Sequence, residues 1–296
     1  MAEQNMSRRS FMATAAVSAA GALAAKRLGA QSLSLGGYLS GSNLSDDLGP
    51  KLGVASYSLR NFPRQQAIEM TRSLGVRYIN FKSVHLDYNA PPNEFASARA
   101  QLAAAGLELV GGGMITFETD TDDGVKKYFD YAKAAGMPII VCTCKASMLP
   151  RIEKFARQYD IKIAIHNHGP EDPNFPSPYD VLKAVKGMDP RIGLCIDWGH
   201  TVRAGADVVR ATADAGARLH DMHAKDLRDF SSADSQCVVG EGKMPVAEIF
   251  RQLRSMRYPG YVNLEYEIEP DNPLPGMKQS MAYMRGAISG LATARS

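Results

Sequence analysis

The chain has 296 residues, of which 45% are hydrophobic and 22% charged, and its formal net charge is +3. This length fits one large domain, since an α/β barrel commonly uses about 250 residues. The small and dispersed charge argues against a nucleic acid or an anionic membrane as a partner. The four cysteines are not spaced as a zinc knuckle, and we interpret them as small core residues.

The N-terminal residues have the features of an export signal. Residues 7–12 read SRRSFM, a pair of arginines followed by a polar and two apolar residues, which fits the twin-arginine pattern. The alanine-rich run at 13–25 is too short for a stable membrane span. We predict a twin-arginine signal peptide at 1–30, a linker at 31–50, a catalytic domain at 51–296, and export to the periplasm. A disordered or amphipathic N-terminal helix is the alternative.

From residue 52 onwards, short apolar runs alternate with longer alanine-rich helical patterns. Strands are predicted at 52–57, 77–81, 107–111, 138–142, 161–167, 192–197, 219–224 and 260–265. Helices are predicted at 63–74, 93–105, 122–135, 148–159, 178–187, 206–215 and 246–256, and after 275. This alternation predicts a (β/α)8 TIM barrel. An open doubly wound sheet is the alternative, but no G-x-G-x-x-G follows the first strand.

Polar residues gather at the carboxyl ends of the last four predicted strands, where the chemistry of a barrel belongs. Side chains alternate along a strand, so the apolar residues of the fifth, sixth and eighth strands share the outer face. The inner face then receives His166 and His168, Asp197, and Glu265, and His223 of the seventh strand is compatible with it. Four adjacent strands thus each direct a nitrogen or oxygen ligand to one end of the barrel.

Such a mixture of imidazole and carboxylate ligands predicts one divalent metal ion, of the kind Mn²⁺, Zn²⁺, Co²⁺ or Fe²⁺, rather than Ca²⁺. The predicted ligands are His166, Asp197, His223 and Glu265. Each of them, taken alone, could instead be a hydrogen-bonded structural residue at the barrel rim. The convergence of four such groups on one point favours the metal site.

The runs GLCIDWGH, HAKD, VVGEGKMPVAEIF and GYVNLEYE resemble the sugar phosphate isomerase/epimerase family of xylose isomerase-like TIM barrels. The resemblance covers most of residues 52–290 and implies a divalent metal held by Glu, Asp, His and Glu. Asp197, His223 and Glu265 match the last three of these ligands. His166 stands where many members have the first Glu, as in an H-N-H subgroup, so His166, His168 or Glu171 could complete the set.

The resemblance also implies chemistry that begins with loss of a proton next to a carbonyl. Glu265 is the predicted base, and the imidazoles of His168 and His200 are the other catalytic candidates. A histidine in place of one glutamate removes a symmetric acid–base partner. The predicted function is therefore a sugar isomerase/epimerase-type reaction, with a keto-glycoside hydratase or lyase as the alternative.

Further polar residues near the strand ends are candidates for substrate binding. Lys225 could bind a hydroxyl or an anionic group, or could pair with Asp226 instead. Trp198 could stack on a sugar face or simply pack the rim, and His200 could hydrogen-bond substrate or cap a loop. The substrate-binding candidates are His85, Lys225, Glu241 and Trp198.

Two other classes of protein remain open from the sequence. An AP-endonuclease-like nuclease would bind abasic DNA, but the weak charge and the export signal argue against it. An exported protein that binds sugars without turning them over would retain affinity but show no reaction. A small sugar is the expected partner, with no membrane span after signal removal. The substrate, the metal, the reaction class and a possible homo-oligomer stay undetermined.

Overall fold

The structure is a computed structural model, and it describes residues 50–293. Eight parallel strands close into a barrel, which confirms the predicted (β/α)8 architecture. The barrel strands are β1 (Lys51–Ala55), β2 (Tyr78–Phe81), β3 (Glu108–Thr116), β4 (Ile139–Thr143), β5 (Lys162–His166), β6 (Ile192–Asp197), β7 (Leu219–Ala224) and β10 (Tyr261–Leu264). Their order around the barrel is β1-β10-β7-β6-β5-β4-β3-β2.

Helices follow the strands and cover the outside of the barrel. They are α1 (Arg64–Ser73), α2 (Pro92–Ala105), α3 (Asp122–Ala135), α4 (Leu149–Tyr159), α5 (Pro178–Ala184), α6 (Trp198–Arg203), α7 (Val208–Ala215), α8 (Val246–Ser255) and α9 (Leu274–Thr293). Helix α6 and a small antiparallel pair, β8 (Asp226–Leu227) with β9 (Gln236–Cys237), are additions that the sequence analysis does not predict.

The apolar residues form two layers, because successive side chains of a strand point to opposite faces. Inside the barrel, Val141, Ala164 and Cys195 belong to a small apolar cluster. Ile163 and Ile165 belong instead to the large core between the strands and the helices. The alternation predicted for the fifth and sixth strands is therefore present, and it directs His166 and Asp197 inward.

The register of the strands brings the polar ends of the last four strands to one level. His166 lies beside Cys195 of the next strand, and Asp197 lies beside His223. The amide of Glu265 donates to the carbonyl oxygen of Ala224 over 3.1 Å, so the polar residue after β10 stays in line with β7. Four ligand-bearing strand ends thus meet at one mouth of the barrel.

The close packing of β3 on β4 depends on glycine. Gly113 has a φ of +146°, and a Cβ atom there would lie 2.1 Å from the carbonyl oxygen of Val141. Any larger residue would force these strands apart. The glycine at this position therefore allows the close approach of the two backbones.

The predicted signal peptide and almost all of the predicted linker fall within residues 1–49, which lie outside the described residues. The signal and the export that it implies stay predictions. Within residues 50–293, none of the helices combines the length and the apolar character needed to span a bilayer.

Candidate active site

Four buried side chains converge at the carboxyl end of the barrel. His166, Asp197, His223 and Glu265 each place one nitrogen or oxygen atom within 4.8 Å of the others. His168, an alternative for the first position, lies at the cavity mouth with an exposed side chain. Its neighbour Glu171 is also exposed, and it pairs with Arg203. The structure thus selects His166 for the cluster.

Asp197 is held in place by the start of helix α6. It is the last residue of β6, and its Oδ1 accepts a hydrogen bond from the amide of His200 over 2.8 Å, which caps the helix. Its own amide donates to the Asn167 side chain over 3.1 Å. The Thr201 hydroxyl donates to its carbonyl oxygen over 2.6 Å. Oδ2 is the oxygen that faces the cluster, where it lies 3.6 Å from Nε2 of His166.

His223 and Glu265 form a direct contact across two neighbouring strands. Nδ1 of His223 lies 3.1 Å from Oε2 of Glu265. The other ring nitrogen of His223 lies 3.9 Å from Oδ2 of Asp221, which is deeper in the barrel. Asn263 donates to the second oxygen of Asp221 over 2.8 Å. This row of buried polar groups fixes the orientation of the His223 ring.

Lys225 binds the carboxylates of the cluster from the cavity side. Its Nζ lies 3.3 Å from Oδ2 of Asp197 and 2.9 Å from Oε2 of Glu265, and it also pairs with Glu267. The ion pair with Asp226 considered from the sequence is not the one formed. The Asp226 carboxylate instead accepts backbone amides of the β8–β9 region and the loop that follows it.

Burial and neighbouring charges set the protonation states of the cluster. Burial alone would raise the pKa of Glu265, but His223 and Lys225 outweigh it and hold this pKa well below its usual range. Burial opposes the charge on His223, yet Glu265 raises the pKa of this histidine to about 9. For His200, burial lowers the pKa to about 3, so its imidazole is neutral near pH 7.

Three buried atoms of the cluster have no hydrogen-bond partner among the described residues: His166 Nδ1, Asp197 Oδ2 and His223 Nε2. Ion-pair contacts compensate two of them in part, since Lys225 Nζ lies 3.3 Å from Asp197 Oδ2 and Asp221 Oδ2 lies 3.9 Å from His223 Nε2. Buried polar groups nearly always form hydrogen bonds, so three atoms without one on residues of a single cluster indicate a site built for a ligand. Imidazole nitrogens with carboxylate oxygens are a donor set that suits a transition-metal ion. These residues therefore fit a divalent metal.

A cavity of about 160 Å³ opens above the cluster. Of the predicted catalytic residues, Glu265, His168 and His200 all line it, and the rings of the two histidines lie 4.5 Å apart. Lys225 also lines it, as a substrate-binding candidate should. The sequence analysis missed four further lining residues, which are Tyr57, Lys82, Met114 and Glu267.

Three predicted substrate-binding residues lie elsewhere. His85 is buried outside the cavity lining, where its ring nitrogens contact the Ser56 hydroxyl and two backbone carbonyls. Trp198 is fully buried, and the centroid of its ring lies 5.8 Å from that of Phe250. Glu241 is exposed and lies 2.6 Å from Arg228. The packing alternative therefore describes Trp198, whereas the ring nitrogens of His85 are used in internal hydrogen bonds.

The structure is thus a closed barrel of eight parallel strands with an inward His/Asp/Glu cluster at its carboxyl end. The sequence model of the xylose isomerase-like TIM barrel matches residues 68–287, and the chain belongs to this family.

Known proteins of two reaction types resemble this chain. It is 28% identical over 163 residues to an inosose dehydratase from Mesomycoplasma hyopneumoniae, covering 49% of this chain and 54% of the relative. The chain thus spans about half the length of this curated relative. An L-ribulose 3-epimerase shares the fold with a TM-score of 0.67 at 14% identity, covering 83% of this chain and 98% of the other. A probable 3-DHS dehydratase from Bacillus anthracis shares the fold with a TM-score of 0.65 at 14% sequence identity, covering 79% of this chain and 98% of the other.

Proposed function

We propose that this protein is a divalent-metal-dependent enzyme that removes a proton next to the carbonyl of a sugar or keto-sugar. The observation that carries the proposal is the convergence of His166, Asp197, His223 and Glu265, with unpartnered atoms, beneath a small polar cavity. These four residues would hold the ion. When bound, it would supply a Lewis acid that polarises a carbonyl oxygen.

Glu265 is the proposed base. Its carboxylate borders the cavity, and the positive charges of His223, in the metal-free protein, and of Lys225 hold its pKa well below the usual range, so it is ionised at neutral pH. An ionised carboxylate beside an acidified C–H bond can accept the proton. The neutral imidazole of His200 and the exposed imidazole of His168 lie in the same wall and can donate or accept hydrogen bonds to substrate hydroxyls.

The asymmetry of the cluster favours isomerisation or dehydration over a two-base epimerisation. Epimerisation by two carboxylates needs a base on each face of the substrate. Here Glu265 supplies one carboxylate, and the position across the cluster holds the imidazole of His166, whose pKa is lowered by burial. The likeness to an inosose dehydratase supports loss of water as the second candidate reaction.

The test of the proposed function is metal analysis of the purified protein together with deuterium exchange. In D2O, we expect exchange of the hydrogen next to the carbonyl in free ketoses, 3-keto-glycosides or an inosose. Chelation should abolish this exchange, and Mn²⁺, Zn²⁺, Co²⁺ or Fe²⁺ should restore it. A protein that binds no divalent metal, or that catalyses no exchange with any of these compounds, contradicts the proposal.

Replacing Lys225 by methionine should strengthen metal binding and lower the stability of the metal-free protein. The lysine ammonium lies between the two carboxylates that would hold the ion, so it competes with the ion for their charge. Removing one partner of a buried ion pair costs about 3–5 kcal/mol. We expect a lower melting temperature in chelator, a larger Mn²⁺-induced rise in melting temperature, and a smaller Kd by calorimetry.

The matched control for this prediction is Lys243→Met, which changes an exposed lysine away from the cavity lining. It should leave both the melting temperature in chelator and the Kd for Mn²⁺ at their wild-type values. Equal Mn²⁺ affinities for Lys225→Met and the wild type would contradict competition between the lysine and the ion.

A further inference from the structure

A lysine from the other half of the barrel faces the metal-ligand cluster across the cavity. Lys82 directly follows β2, whereas the ligands come from β5, β6, β7 and the end of β10. Its amide donates to the Ser56 hydroxyl over 2.8 Å, and its Nζ donates to the Met114 carbonyl oxygen over 2.8 Å. Both ends of the residue are therefore anchored, and the ammonium is fixed in the cavity wall.

The two lysines of the cavity have different charge environments. Lys225 pairs with three carboxylates. Within residues 50–293, Lys82 has no carboxylate oxygen within the 4.0 Å of an ion pair, although Glu265 and Glu267 act on it from farther away. Both of those carboxylates are already bound by Lys225. The half-buried Lys82 thus keeps two N–H donors available for an oxygen atom of a substrate.

The surroundings of Lys82 also suit proton transfer. Burial lowers the pKa of its ammonium, and Glu265 and Glu267 offset only part of this effect. An ammonium with a lowered pKa gives up its proton more readily than an exposed lysine does. The ring of Tyr57, whose centroid lies 5.5 Å from Nζ, forms the part of the cavity wall beside the ammonium.

We propose that Lys82 is the general acid that protonates the departing hydroxyl when the site dehydrates a keto-sugar or keto-polyol. This inference rests on the proposed function, because it begins after the proton next to the carbonyl has been removed. Of the two candidate reactions, the inference favours dehydration. It therefore requires a substrate with a hydroxyl on the carbon β to its carbonyl.

The step balances without a further reactant. Glu265 takes the proton from the α carbon, and the electron pair of that C–H bond becomes the new C=C bond. The C–O bond at the β carbon breaks, and its oxygen leaves with the bonding pair. Lys82 supplies a proton to this oxygen, so that it leaves as water. Glu265 then releases its proton to solvent and the neutral lysine regains one, so the step releases one water molecule with no net oxidation or reduction.

The test separates proton abstraction from water loss in the Mn²⁺-loaded full-length protein. The probes are an inosose and a free 2-ketohexose in its open-chain form, each with a hydroxyl β to its ketone, and both deuterium exchange and the enone product are followed. We expect Lys82→Met to lower water loss by about 10²–10⁴-fold, the usual contribution of a general acid. Exchange at the α carbon should fall by much less.

Lys82→Arg distinguishes an acid from a positive charge that merely binds the substrate. A guanidinium keeps the charge, but its pKa lies above about 12 and it does not give up a proton. We therefore expect Lys82→Arg to bind the probes and to exchange deuterium without restoring water loss. Lys145→Met, at an exposed lysine outside the cavity lining, should match the wild type in both measurements.

The possible outcomes are distinct. Wild-type water loss in Lys82→Met, or its recovery in Lys82→Arg, overturns the assignment of the acid. Exchange by the wild type without water loss from either probe overturns dehydration but leaves the proposed function standing. Absence of exchange from the wild type with both probes counts against the proposed function and overturns the inference with it. Should Lys82→Met fold poorly by circular dichroism, Lys82→Gln provides the same comparison.

Discussion

Substitution of Glu265 by glutamine is expected to lower turnover by about 10²–10⁴-fold, the range that a positioned general base contributes. The amide preserves the shape of the side chain but cannot accept the proton. Its contact with Lys225, 2.9 Å in the wild type, loses its charge as well. Deuterium exchange at the carbon next to the carbonyl should fall with turnover, because both depend on the same proton abstraction.

Glu69→Gln is the matched control for this variant, since Glu69 is exposed on helix α1, where its carboxylate accepts a hydrogen bond from Gln65 four residues away. It should keep the wild-type rate. Retention of deuterium exchange by Glu265→Gln would show that another group removes the proton, with His168 and His200 as the alternatives in the cavity wall.

Asp197→Ala is expected to abolish tight divalent-metal binding and to lower the free energy of unfolding in chelator by about 3–5 kcal/mol, because buried Lys225 loses a partner. Loss of the helix cap adds about 1 kcal/mol. Asp197→Asn should lose metal binding equally but retain the cap, since asparagine is a good N-cap. Urea denaturation in chelator and Mn²⁺ calorimetry measure the two effects separately.

Asp207→Ala provides the comparison for the cap alone. Asp207 caps helix α7 through the amides of Val209 and Arg210, and it is exposed. Its replacement should cost about 1 kcal/mol and leave Mn²⁺ affinity unchanged. If Asp197→Asn binds Mn²⁺ as the wild type does, Asp197 is not a ligand of the ion.

Most of the barrel could be predicted because its periodicity is strong. Each predicted strand and helix of the domain has a counterpart in the structure, with ends that differ by a few residues. Strands β8 and β9 are two residues each, too short for any alternation to be detected. Helix α6 was missed because Asp197 was interpreted only as a ligand, whereas its side chain also begins a helix.

One rule predicts most of the candidate site: polar side chains that point inward at the carboxyl ends of the barrel strands lie close together. This rule finds His166, Asp197 and Glu265. Applied to the second strand it would also have indicated Lys82, which directly follows the predicted strand at 77–81. Glu267 has the parity of Glu265 and carried the same signal.

Some features of the site had no sequence signal at all. Met114 is an apolar residue that lines the cavity, and its backbone carbonyl oxygen accepts a hydrogen bond from Lys82. His85 had the expected chemistry and the expected strand end, but its ring nitrogens are used by neighbouring backbone carbonyls and the Ser56 hydroxyl. Local sequence cannot indicate which of two polar partners a side chain will meet.

The helix cap at Asp197 also limits how this residue can take part in coordination. With Oδ1 bound to the amide of His200, Oδ2 is the oxygen that this carboxylate would offer to an ion. The hydrogen bond that begins helix α6 would thereby keep the other oxygen engaged and leave room beside the ion for oxygen atoms of a substrate.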